Sequence, residues 1–143
     1  MATNWNEAES EMQGHIQDVL RQTRRRAESC TVRASNELRN AALEVLRGQR
    51  SGRMYRLPHS GSYYTASAPG EPPAVRTGML RMSWGLRASG DGRGNYVAAI
   101  QTHIPYAAWL ENGTRRMAPR PYREKIIERA KPGVIRIFSE INK

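Results

Sequence analysis

A long run of helical periodicity constrains this chain more than any other feature. Apolar or small residues recur at every third or fourth position, as on one face of an α-helix. They are Trp5, Ala8, Met12, Ile16, Leu20, Thr23, Ala27, Cys30, Ala34, Leu38, Ala41 and Val45. No proline occurs before Pro58, and Gly48 offers a stop. The pattern predicts one amphipathic helix over residues 4–47.

The length of this helix is hard to reconcile with the size of the chain. At 1.5 Å per residue it would measure about 65 Å. A compact domain of 143 residues is expected to be only about 30–35 Å across. Either the helix breaks near Gly14 or at residues 29–32 and folds back as a hairpin, or it projects beyond its own subunit. A projecting apolar stripe needs a partner, so the second alternative indicates oligomerisation.

The remaining sequence predicts an extended arm followed by a small β structure. Residues 48–76 are interrupted repeatedly by glycine and proline, which is typical of a loop with a function of its own. Apolar residues then alternate with polar ones from Met82 through Trp84 and Leu86, and alternate again over residues 96–102. The glycine-rich residues 90–94 lie between these two runs. This arrangement predicts a β-hairpin.

Two further helices are predicted after the hairpin. Pro105 marks the first turn of a short helix that stops at Asn112-Gly113, and Pro121 marks the first turn of the last helix. Pro132 is expected to kink or break that last helix. The predicted fold is therefore α+β in a single domain, 1–143: a long N-terminal helix, a small mainly antiparallel sheet, and a C-terminal helix packed on it.

The charge of the chain is strongly basic and unevenly placed. The net charge is +10, yet residues 4–47 hold seven arginines against seven acidic residues, so the excess lies after them. Such a balance suits contact with nucleic acid or an acidic protein surface, and it also suits plain solubility in an arginine-rich proteome. Candidates for phosphate contact are Arg24, Arg25, Arg26, Arg50 and Arg53. For the first three, the alternative is an ordinary solvated helix face.

No constellation of residues points to an enzyme. His15, His59 and His103 have no partner at metal-ligand spacing, and no acidic pair stands out. Cys30 lies on the helical stripe, where a cysteine is usually a small core residue. We expect no catalytic residue, metal site or cofactor. No apolar run approaches the ~20 residues that span a bilayer, so no membrane contact is expected either.

Four ordered motifs resemble the neck, or tail-completion, proteins of long-tailed bacteriophages. They are APGEPP at 68–73, TGMLRMS at 77–83, PYAAWLENGT at 105–114 and MAPRPY at 117–122. The family usually has Ala-Arg where this chain has Ala118-Pro119-Arg120, and Phe where it has Tyr122. The residues that carry the resemblance are Pro72, Pro73, Thr77, Gly78, Leu80, Tyr106, Leu110, Glu111, Gly113, Thr114, Met117, Arg120, Pro121 and Tyr122.

The resemblance implies a structural virion protein, made in the host cytoplasm and located in the phage neck. Its subunits would form a ring of six, or alternatively twelve, that lets DNA pass. The ring would stack between a head-closure or adaptor ring and a tail-terminator or tail-tube ring. The expected contacts between subunits are Trp5, Met12 and Ile16 on the helix, with Tyr55, Leu57, Tyr63 and Tyr64 on the arm.

Local physical chemistry gives roles to some motif residues. Gly78 and Gly113 flank short helices and are expected to take positive φ. Arg120, held between prolines, is expected to pair with Glu111 in a bidentate ion pair. A different class of function stays open throughout, namely a free-standing basic protein that binds DNA or RNA through the arginines of the helix and arm.

Overall fold

The computed structural model describes residues 4–142 and has the α+β architecture that the sequence predicts. Helix α1 spans Asn4–Val45, and α4 spans Arg123–Ser139, followed by a 3-10 turn at Glu140–Asn142. Between them lie strands β1 (Met54–Arg56) and β2 (Tyr63–Thr65), helix α2 (Met79–Met82), strands β3 (Gly85–Gly90) and β4 (Tyr96–Gln101), and helix α3 (Ala107–Asn112). The two strand pairs form two separate antiparallel hairpins.

Helix α1 is continuous over 42 residues, so the prediction of a break with a helical hairpin is wrong. Gly14 is accommodated within the helix, and its surroundings are open. Residues 29–32 stay helical, and the buried hydroxyl of Thr31 is satisfied within the helix, where it donates to the carbonyl of Ala27 at 2.7 Å. The helix ends shortly before Gly48, whose φ of 101° other residues rarely adopt.

The second half of α1 packs antiparallel against α4. The thiol of Cys30 donates to the carbonyl of Ile137 at 3.5 Å, and Arg33 forms an ion pair with Glu140 at 2.5 Å. Further along, Gly133 lies so close to α1 that an added Cβ would come within 2.6 Å of the Glu37 carboxylate. Small residues at the contact let the two backbones approach.

Pro132 does not break α4, so of the kink or break expected from the sequence the break does not occur. The helix runs through it from Arg123 to Ser139. A proline inside a helix removes one backbone hydrogen bond. Here the packing of Ala130, Gly133 and Ile137 against α1, all of them buried, holds the helix in one piece.

The core lies where α1, α2, α3 and α4 meet. Trp84 and Tyr122 pack edge to face with ring centroids 5.9 Å apart. The Tyr122 hydroxyl donates to the carbonyl of Ala107 at 2.9 Å, and burial raises the pKa of this phenol, helped by the charge of Glu111. The buried cluster consists of Ala41, Ala42, Leu46, Leu80, Trp84, Ala107, Tyr122, Ile126 and Ala130. Alanines and aromatic residues thus supply six of the nine residues of this small core.

The β3–β4 hairpin packs on α1 and leaves much of its surface exposed. Its register pairs Gly85 with Gln101 and Gly90 with Tyr96. The strand predicted to begin at Met82 begins instead at Gly85, because residues 79–82 form the α2 turn after Gly78. Trp84, just before β3, is buried, whereas Leu86 within it is 44% exposed. The alternating pattern therefore predicts the strand correctly, but β3 is exposed along its whole length.

The arm is more ordered than a simple extended loop, which corrects the prediction for residues 48–76. Strands β1 and β2 pair in register from Met54 with Thr65 to Arg56 with Tyr63. The turn between them contains His59 with a φ of 59°. The following residues lead through the APGEPP turn to α2.

Candidate subunit interface

The first half of α1 is the most unusual surface of the molecule. Every residue from 4 to 26 is exposed, and the first buried residue of the helix is Ala27. At 1.5 Å per residue, this part extends roughly 34 Å from the rest of the subunit. We call it the projecting half of α1. Of the two alternatives left open by the sequence, projection is the one that the structure has.

The projecting half carries the apolar stripe that the periodicity predicts. The exposed fractions are 84% for Trp5, 64% for Met12, 51% for Ile16 and 61% for Val19. Helical spacing puts these residues on the same side of α1 as Ala27, Cys30 and Ala34, which are buried further along. One continuous apolar face is therefore covered by the subunit in its second half and left uncovered in its first half.

The arginines of the projecting half are solvated. Arg21 lies 3.5 Å from Asp18, in an exposed pair within the helix. Arg24, Arg25 and Arg26 are exposed and have no ion pair within residues 4–142. Consecutive helical residues differ by 100° in direction, so these three do not form one basic face. They give a belt of charge around the helix.

The arm presents tyrosines on its hairpin. The rings of Tyr55 and Tyr64 stack with centroids 5.9 Å apart, and Tyr55 and Tyr63 are 46% and 61% exposed. Leu57 follows β1 and is half-buried. Arg53 is exposed, with its guanidinium carbon 6.0 Å from the Tyr55 ring. Arg53, Tyr55 and Tyr63 are thus exposed on the arm, whereas Leu57 and Tyr64 lie in the wall of an apolar groove.

Arg50 has a structural role, so we withdraw it from the candidates for DNA contact. Its Nε donates to the carbonyl of Pro72 at 2.8 Å, and its Nη2 donates to the carbonyl of Val45 at 2.8 Å. Further bonds reach the carbonyl oxygens of Pro73, Arg47 and Gln49. Burial lowers the pKa of this guanidinium. The side chain ties the end of α1 to the arm and has few donors left for a phosphate.

Glu71 fixes the APGEPP turn from within. Its carboxylate accepts from the backbone N–H of Ala68 at 2.8 Å and of Ser51 at 3.1 Å, and also from the Ser51 hydroxyl. These bonds, with the Ser51 hydroxyl first, lower the pKa of Glu71 from 4.5 to about 2. The turn is held from outside by Lys125, whose Nζ donates to the carbonyl of Gly70 at 2.9 Å. The motif is thus a connected structural element.

Glu111 caps helix α4 and does not pair with Arg120, which corrects the sequence prediction. Its Oε2 accepts from the backbone N–H of Tyr122 at 2.8 Å and of Arg123 at 3.1 Å. The first turn of α4 has no cap from its own N-cap side chain, so it draws the acceptor from α3. Arg120 is bound through its backbone, whose N–H donates to the carbonyl of Leu110 at 2.7 Å.

Gly78 and Gly113 have positive φ, as predicted. Gly78, with φ of 78°, precedes α2, and Gly113, with φ of 76°, ends α3. A Cβ at Gly113 would also lie 2.9 Å from the carbonyl oxygen of Met117. Thr114 and Met117 close this turn through a β-bridge. Pro105 and Pro121, predicted in the first turns of the two helices, lie just before them, because α3 begins after Tyr106 and α4 begins after Tyr122.

The motif residues come together around one apolar groove. It measures about 1030 Å³ and lies beside the C-terminal end of α1, since Leu46 forms part of its wall. Trp109 and Met79, which are 59% and 57% exposed, stand in the wall as well. Its walls also contain nine of the motif residues: Pro73, Thr77, Gly78, Leu80, Tyr106, Leu110, Thr114, Met117 and Arg120. Pro72, Glu111, Gly113, Pro121 and Tyr122 are bonded to or adjoin these.

Nothing in the described part of the chain forms a metal site. Within residues 4–142 no three His, Cys, Asp or Glu side chains are grouped as ligands. Cys30 is buried between α1 and α4, and His15, His59 and His103 belong to three separate regions. None of the described helices is long and apolar enough to cross a membrane.

Comparisons of this chain with models of known protein families, with curated proteins and with solved structures gave no match. The surfaces themselves are therefore what bears on function. Sequence reasoning found the stripe, but it missed Val19 as an exposed member and missed the groove altogether. The groove is assembled from segments distant in the chain, and no local pattern signals it.

Proposed function

We propose that this chain is a structural subunit of the neck of a long-tailed bacteriophage, where copies of it form a ring between head and tail. Six copies are the expected number and twelve the alternative. The ring would stack between a head-closure or adaptor ring and a tail-terminator or tail-tube ring, and would leave a channel for DNA. In this role the protein is an adaptor without catalytic activity.

The observation that carries the proposal is the projecting half of α1. A subunit that leaves Trp5, Met12, Ile16 and Val19 exposed on one helix face has a surface suited to burial against another protein. A helix without tertiary packing is also marginally stable in water on its own. Packing against another copy in an oligomer would stabilise this helix.

The grouping of the four motifs supports the same proposal. The APGEPP turn is bonded to the MAPRPY segment, since the N–H of Gly70 donates to the carbonyl of Pro119 at 3.2 Å. The PYAAWLENGT segment caps α4 through Glu111. Motifs that are distant in sequence thus build one connected surface.

A channel for DNA must accept the phosphate backbone of DNA of any base sequence. The belt at Arg24, Arg25 and Arg26 and the exposed Arg53 suit that requirement, because arginine contacts with phosphate are independent of base sequence. The proposal places this belt and Arg53 close to the channel, with only part of the belt facing the DNA.

The test is the mass of the purified protein by light scattering, followed by negative-stain imaging of any large species. The proposal predicts closed rings with a central hole, at about 97 kDa for six copies of the 16.2 kDa chain or about twice that mass for twelve. A protein that stays a monomer at the highest attainable concentration would contradict it.

The competing hypothesis is a free-standing nucleic-acid-binding protein, favoured by the unpaired Arg24, Arg25 and Arg26. It predicts that a monomer or dimer binds duplex DNA tightly, with an affinity that falls steeply with salt. A titration of monomeric protein against duplex DNA at several salt concentrations separates the two functions.

A further inference from the structure

The tip of the projecting half differs in charge from everything that follows it. Residues 4–20 contain four acidic residues, Glu7, Glu9, Glu11 and Asp18, and no lysine or arginine. All 23 basic residues of the chain come after residue 20, together with the other nine acidic ones. We call residues 4–20 the acidic tip. It combines negative charge with the exposed apolar residues Trp5, Met12 and Ile16.

The groove has the complementary character. Its walls are mainly apolar, with Leu57, Met79 and Trp109 among them, and three arginines are part of its lining: Arg76, Arg81 and Arg120. None of the three forms an ion pair within residues 4–142. Nη1 of Arg120 is buried and has no hydrogen-bond partner among residues 4–142. The groove thus offers an apolar surface with positive charge that the subunit leaves uncompensated.

The tip and the groove of one subunit cannot meet. The groove adjoins Leu46, just after the C-terminal end of α1, whereas the tip is the N-terminal end of the same continuous helix. The length of α1, about 63 Å at 1.5 Å per residue, separates them. Any contact between these two surfaces must therefore join two copies of the chain.

We propose that the acidic tip of one subunit docks into the arginine-lined groove of a second copy. The apolar stripe of the tip packs against Trp109 and Met79, and Glu9, about 60° around α1 from Met12, is the carboxylate that this packing brings nearest to the groove arginines. Such a contact uses two different surfaces, so each subunit donates a tip and receives one. Repetition of the contact links subunits head to tail and closes into a ring when the rotation permits. This inference rests on the proposed function and specifies the contact that builds its ring.

The test uses two single substitutions at exposed positions in the full chain. Met12→Asp damages the tip, and Trp109→Asp damages the groove; Met79→Asp is a second groove variant should the first fail to fold. Each is expected to weaken self-association by roughly 100-fold, because a large apolar contact is lost and a charge is placed within it. Circular dichroism checks that each variant keeps its helices.

Matched controls place the same charge outside the proposed contact. Ser10→Asp lies about 160° around α1 from Met12, since consecutive residues turn by 100°. Val97→Asp changes a side chain of β4 that is 57% exposed and is not part of the groove. Both controls are expected to assemble like the wild-type protein.

A mixing experiment distinguishes tip-in-groove docking from pairing of two tips. Met12→Asp retains an intact groove, and Trp109→Asp retains an intact tip. An equimolar mixture is therefore predicted to form a dimer, and nothing larger, in sedimentation velocity. If two tips paired with each other, Trp109→Asp would assemble normally alone, and that result would overturn the proposal.

The remaining outcomes separate this inference from the proposed function. Rings that persist in both variants would refute the tip-in-groove contact and leave the neck function standing. A wild-type protein that is monomeric at all concentrations would refute the ring and this contact together.

Discussion

Substitution of Glu111 by glutamine tests its role as the cap of α4. The carboxylate accepts two backbone hydrogen bonds at the start of α4, at 2.8 Å from Tyr122 and 3.1 Å from Arg123. Glutamine keeps one acceptor oxygen and removes the charge. Hydrogen bonds to charged groups exceed neutral ones by about 1 kcal/mol, and the charge adds a few tenths through the helix dipole. We expect Glu111→Gln to cost about 1 kcal/mol and Glu111→Ala about 2 kcal/mol.

The assay is urea unfolding followed by circular dichroism, with all variants at the same protein concentration because assembly shifts apparent stability. With an m-value of about 2 kcal/mol/M, Glu111→Gln should lower the midpoint by about 0.5 M. Glu128→Gln is the matched control, since Glu128 is an exposed residue of α4 and this substitution removes the same charge without removing a cap. It should change stability by less than about 0.5 kcal/mol.

A double-mutant cycle with Arg120→Met distinguishes a cap from an ion pair. Capping predicts a coupling energy between Glu111 and Arg120 below about 0.5 kcal/mol, whereas a bidentate ion pair predicts clearly more. If Glu111→Gln left the free energy of unfolding unchanged, or if Glu111 coupled strongly to Arg120, Glu111 would not be acting as the cap of α4.

Three more predictions concern other parts of the subunit. Gly113→Ala should cost about 2–3 kcal/mol in urea unfolding, because φ is 76° with ψ of 175° and the added Cβ meets backbone, whereas Gly61→Ala, in open space, should cost under about 0.5 kcal/mol. The pKa of Glu71 is lowered from 4.5 to about 2 in the folded protein, so the stability that its carboxylate contributes is present above pH 4.5 and is lost as the pH falls toward 2. The melting temperatures of Glu71→Gln and the wild-type protein should therefore converge over that pH range. A constant difference between them would contradict this. Replacing all three arginines at 24–26 by glutamine should reduce the dependence of log K for DNA on log salt by up to about 2.7, and an unchanged slope would show that they do not meet phosphates.

The sequence predicted α1 well because a helical repeat is a local signal. The apolar stripe from Trp5 to Val45 follows a period of 3.6, and no proline interrupts it. The same signal could not say that the first half is uncovered, since burial depends on where α4 and the β3–β4 hairpin pack. Burial of α1 begins only at Ala27.

Local patterns failed where distant segments compete for the same groups. Arg50 looked like one of several free arginines, yet carbonyl oxygens of Pro72 and Val45 take its donors. Glu111 looked like a partner for a nearby arginine, yet the N-terminus of α4 takes its oxygen. Pro132 looked like a helix break, yet close packing beside Gly133 holds α4 together. Each outcome is a tertiary effect that the neighbouring residues in sequence do not encode.

Hydrogen–deuterium exchange of residues 4–26 over a range of protein concentrations measures whether a second copy covers the projecting half of α1. Coverage by a second copy predicts fast exchange in dilute, dissociated protein and strong protection in assembled protein. The change should be confined to this segment and to the walls of the groove, while residues 27–45 stay protected throughout. Exchange over 4–26 that is equally fast at every concentration, with assemblies present, would contradict it.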